Sequence, residues 1–133
     1  LSGTLFTIIF AYAIRFSAIG IRTIDNGLKR ISKTVDESAT MLNITERKLI
    51  KDVHMPMMKS SILTGFLIIF VDIMKELPLT SILRPFNFDT LATYTYDLIN
   101  QAQFFQSSLP SLLIIAISFP AIYLINRTTR DEL

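Results

Sequence analysis

The sequence contains no cysteine and no tryptophan, and its single histidine is His54. Without cysteine there is no disulfide framework, no thiolate zinc site and no thiol nucleophile, which leaves any metal chemistry to oxygen and nitrogen ligands. A lone histidine would have to recruit every catalytic or ligating partner from elsewhere, and within Val53-His54-Met55-Pro56 it reads as a loop residue. There is no Gly-rich phosphate loop, no nucleophile–base pair and no paired metal-ligand arrangement. The chain is therefore expected not to bind ATP itself, not to be an enzyme and to need no cofactor. Net charge is only +2, and the basic residues lack interleaved stacking aromatics, which argues against nucleic acid as a partner.

What the sequence has in abundance is apolar surface. Half of the residues are hydrophobic and mean hydropathy is +0.46, a balance that points to lipid as the solvent. The apolar residues cluster at 5–21, 62–74 and 109–125, with the charges collected between them. The expected fold is all-α: a multi-helix transmembrane protein with about three spanning helices, near 4–21, 60–77 and 107–126. The chain begins at Leu1 with no basic region before the first apolar block and no small-residue cleavage site after it, which reads as a start within a longer protein and not as a signal peptide. Arg15 lies inside the first block, where it must snorkel to an interface or pair with a carboxylate in a bundle.

Charge placement sets the expected orientation. Residues 22–59 carry Arg22, Lys29, Arg30, Lys33, Arg47, Lys48, Lys51 and Lys59, and Arg127 and Arg130 follow the third block. These segments are expected in the cytoplasm, and 78–106 outside as a loop or re-entrant segment. Within the basic loop, Thr34 and Glu37 have the spacing of a capping box, predicting a short helix from Thr34. Asn43 suits the left-handed residue that closes such a helix. Thr45 offers a fresh N-cap with Glu46 in the first turn, and the second helix is expected to stop where Met55-Pro56 interrupts it. The loop 34–56 is thus predicted as helix, sharp turn, helix.

That loop resembles the EAA loop of ABC-importer permeases, whose pattern is Glu-Ala-Ala, three residues, Gly, nine residues, then Ile-x-Leu-Pro. The same positions here read Glu37-Ser38-Ala39, Asn43 and Val53-His54-Met55-Pro56, with Ser38 replacing an Ala and Asn43 the Gly. Residues 70–78 and 83–92 are similar to the corresponding stretch of ferric-iron importer permeases. The resemblance covers most of 1–126 and implies the C-terminal part of a permease in the bacterial inner membrane. It further implies upstream permease helices or a second permease half, separate cytoplasmic ABC ATPase subunits and an extracytoplasmic substrate-binding protein. Carried over, Glu37, Ser38, Ala39 and Asn43 would dock the ATPase.

In the second spanning helix, about 100° of rotation per residue places Ser61, Gly65, Asp72, Lys75 and Glu76 on one face. A polar stripe in a membrane should face protein or water, so it is either part of a translocation path for cations or a set of interhelical pairs. Asp72 and Lys75 can pair, whereas Asp72 and Glu76 are like charges four apart and need an outside cation or an extra proton. Asp89, Tyr94, Tyr96 and Asp97 in the external segment offer hard oxygen groups, but solute capture is expected of the separate binding protein. The competing readings are a permease segment for a polyamine, an inorganic anion or thiamine, and an inactive membrane remnant or interaction subunit.

Overall fold

The computed structural model describes residues 3–130, and among these it is all-helical. Helix α1 (Leu5–Lys29) opens at Thr4, whose hydroxyl accepts from the Thr7 amide. Helix α2 (Lys33–Met41) is the short loop helix. Helix α3 (Glu46–Leu49), a single wide π turn (Ile50–His54) and α4 (Met55–Met74) run on as one rod. Helices α5 (Pro78–Leu83) and α6 (Leu91–Asn100) fill the second connection, and α7 (Phe104–Arg130) returns.

Among the described residues three helices are long and apolar enough to cross a membrane: Leu5–Lys29, Glu46–Met74 and Phe104–Arg130. Each extends beyond its apolar block by several residues, because a helix continues past the hydrocarbon boundary as long as its charged side chains reach water. Only 11% of each apolar window is buried within the chain. In water such exposure would be untenable; in a bilayer the same side chains face lipid or further protein.

The rod is central, with α1 and α7 both packed on α4, α5 against α1, and α6 against α7. The α1–α4 pair is antiparallel and unusually close. A Cβ placed on Gly65 would lie 2.5 Å from Thr23 Cγ2, and one on Gly27 would lie 3.1 Å from Ser61 Cβ. Small residues let the two backbones approach, which is how helices gain contact where burying apolar surface from lipid brings little. Pro110 and Pro120 lie inside α7, and the Ser107 and Ser111 hydroxyls donate to carbonyls of the preceding turn near the first of them.

The rod corrects one expectation. Pro56 does not end the second loop helix, because the chain widens just before it: the Met55 amide donates to the Ile50 carbonyl, five residues back. A proline ring clashes with the carbonyl four residues earlier and offers no N–H to it, and a widened turn accommodates both defects.

Candidate functional site

Three groups of side chains stand out, one at each end of the α1–α4 pair and one along its seam. At the basic end, Ser32 is the N-cap of α2, with φ −64° and ψ 139°, and its hydroxyl accepts from the Thr34 amide at 3.2 Å. The expected Thr34–Glu37 capping box is therefore absent. Ser32 starts the helix two residues earlier, so Thr34 is already helical and Glu37 lies beyond the reach of the N-cap amide. Glu37 and Ser38 are exposed, whereas Ala39 is buried against the loop itself.

The sharp turn follows the expected chemistry. Asn43 has φ 55°, its amide donates to the Thr40 carbonyl, and the Ile44 amide donates to the Ala39 carbonyl at 3.1 Å. This pair of bonds is a Schellman closure, with Asn43 in the left-handed position. Thr45 then has the extended backbone of an N-cap, although its side chain makes no capping bond. At the tip Met41 and Leu42 are 88% and 72% exposed, an apolar pair that sequence spacing did not single out. His54 is no loop residue: it closes the π turn, and its Nε2 lies 2.8 Å from Asp36 Oδ1 on α2.

Along the seam, two members of the predicted polar stripe face α1. Gly65 meets Thr23 and Ser61 meets Gly27. The other three lie together at the far end, where α4 stops at Met74 instead of reaching 77. Lys75 is the C-cap, and its Nζ lies 3.1 Å from Asp72 Oδ1. Glu76 is buried, 3.4 Å from Arg15 of α1, and its Oε1 accepts from the Leu79 amide. Thus the two carboxylates that required an outside cation have Lys75 and Arg15. Arg15, Phe16, Ile19, Asp72, Lys75 and Glu76 line a recess of about 400 Å³. Tyr12 and the fully buried Thr80 share a hydroxyl–hydroxyl bond beside it, and Thr80 Oγ1 donates to the Glu76 carbonyl. Burial of that threonine was invisible to periodicity, since α5 is too short to show one.

Beyond the recess, Arg84 pairs with Asp89 and with Asp97 Oδ2, the latter at 2.9 Å. The Asp97 hydrogen bond, with the charges of Asp97 and Asp89, raises the guanidinium's affinity for its proton. Both carboxylates of the external oxygen set therefore already hold a cation. Among the described residues no group of three or more metal-ligating side chains forms.

An all-helical bundle whose spanning helices expose most of their apolar surface, joined at the basic end by a compact helix–turn–helix, defines a multi-pass membrane protein. Residues 1–130 match the family described as binding-protein-dependent transport system inner membrane component. The chain belongs to that family and is an inner-membrane permease component of an ABC transporter, not an enzyme. The family works in general with an ATPase and a substrate-binding protein. No match was found among curated proteins or among solved structures.

Proposed function

We propose that the chain forms part of the translocation path of an ATP-driven importer of ferric iron and receives the ATPase stroke through the loop between α1 and α3. The observation that carries the docking half is the Schellman-closed turn at Asn43, which presents exposed Glu37 and Ser38 between two spanning helices. Glu37 and Ser38 would contact the ATPase directly, Asn43 would shape the turn, and buried Ala39 would support α2 from beneath. Lys29, Arg30, Lys33, Arg47, Lys48, Arg127 and Arg130 gather at this end, and such a bias favours the cytoplasm. Asp72, Lys75 and Glu76 would border the path near its outer end. The choice of ferric iron rests on the resemblance of 70–78 and 83–92 to iron-importer permeases.

Glu37→Lys tests docking. Setting a cation against a cleft that accepts a carboxylate costs on the order of several kcal/mol, so the complete permease should insert normally but lose its ATPase on purification. Glu37→Gln, which removes only the charge, should weaken co-purification and no more. Retention of the ATPase by Glu37→Lys would refute the docking role. Uptake of radioactive ferric iron by the unmutated complex, with a polyamine, an inorganic anion and thiamine as competitors, tests the solute.

A further inference from the structure

We propose that Asp36 and His54 form a strut that carries motion of α2 into the hinge of the rod, and that both are positioning residues for transport. The inference rests on the docking reading above and concerns what happens after the ATPase has engaged the loop.

Helix α2 has nine residues, too few to be stable without attachment. Its apolar side, around Val35 and Ala39, shares a recess with Leu49 and Val53 of the rod, and apolar surface of that kind sets no direction. The Asp36–His54 hydrogen bond, at 2.8 Å, is directional and fixes the register of α2 on the rod. His54 also lines, together with Asp36, a cleft of about 520 Å³ whose other walls are largely apolar, including Ile24, Leu28, Met58 and Ile62. A polar ring placed there requires a partner, and Asp36 supplies it.

The position of His54 along the rod gives the bond its consequence. It is the last residue of the π turn, two residues before Pro56. Here the regular ladder is already interrupted, so the rod bends at lower cost than elsewhere. A pull on α2 therefore reaches α4 at its softest point and continues through the Gly65–Thr23 contact into α1.

The test uses the complete permease with its ATPase in lipid vesicles, comparing His54→Leu, Asp36→Ala and His54→Gln. Asp36 is exposed, so its replacement spares the core. Amides of 33–41 should exchange about tenfold faster in His54→Leu and Asp36→Ala, and within about twofold of the unmutated complex in His54→Gln, whose amide can still donate. A cysteine at Ser60, just past the hinge, should change its maleimide reactivity on ATP addition in the unmutated and His54→Gln complexes. It should not do so in the other two, although ATP hydrolysis continues. Unchanged amide exchange in both His54→Leu and Asp36→Ala overturns the strut. So does a preserved nucleotide response at Ser60→Cys once α2 has loosened. If the unmutated complex holds no ATPase, the docking reading has failed and the strut falls with it.

Discussion

Gly65 sits at the closest approach of the two antiparallel spanning helices, and replacing it tests that packing directly. In an open helix position Gly→Ala stabilises by roughly 1 kcal/mol, since alanine is the better helix former. At Gly65 the added Cβ would fall 2.5 Å from Thr23 Cγ2 and 2.9 Å from both Cβ and Oγ1. Thr23 cannot turn aside freely, because its hydroxyl donates to the Ile19 carbonyl at 2.8 Å and its β-branched χ1 is stiff. Overpacking of this kind costs about 1–3 kcal/mol, and a 2.5 Å approach belongs at the upper end of that range, so after the helix gain Gly65→Ala should lose up to about 2 kcal/mol. Gly20 is the internal control. Its nearest neighbour across the seam is Ile69 Cδ1 at 4.0 Å, an ordinary contact, so Gly20→Ala should be neutral or mildly stabilising. Thermal unfolding of the purified permease in detergent, followed by loss of the monodisperse peak, gives the readout. In a Thr23→Gly background, where all three crowding atoms are gone, Gly65→Ala should cease to destabilise. Equal melting temperatures for Gly65→Ala and Gly20→Ala, or no rescue by Thr23→Gly, would show that the helices do not meet as described.

Asn43→Gly should be tolerated while Asn43→Val should unfold the turn, because φ 55° suits Gly and Asn and strains a β-branched residue by about 1–2 kcal/mol or more; limited proteolysis between residues 40 and 47 reports the difference. Arg15→Met should lower thermal stability more than Arg15→Met combined with Glu76→Met, because the single change strands a buried carboxylate and the double change removes it. Arg15 is half exposed, so the single-variant cost should be nearer 1–2 kcal/mol than the roughly 3–5 of a fully buried pair. A double variant no more stable than the single one would mean that Glu76 does not depend on Arg15.

Sequence alone determined the class of this protein. Three dense apolar blocks with the charges collected between them, and Lys and Arg concentrated in 22–59 and after the third block, fit spanning helices, because every backbone polar group in lipid must be satisfied within its own helix. The turn at Asn43 was equally legible, since left-handed backbone is a local property that a single residue type reveals. The boundaries were less so. Thr34 and Glu37 have good box spacing, yet Ser32 caps α2, because competing caps two residues apart differ by little and spacing alone does not rank them. Pro56 is a helix breaker by propensity, and only the wide turn ahead of it keeps the rod continuous. The polar stripe shows most clearly what the tertiary structure decided. Ser61, Gly65, Asp72, Lys75 and Glu76 share a periodicity, but Gly27 and Thr23 of α1 claim the first two, while Arg15, ten residues from Asp25 and 21 or more from every other acidic residue, reaches Glu76. Periodicity says which residues share a face; which of them meet a neighbour, a counter-ion or an open recess depends on the helix that packs there, and the sequence of one helix does not contain that information.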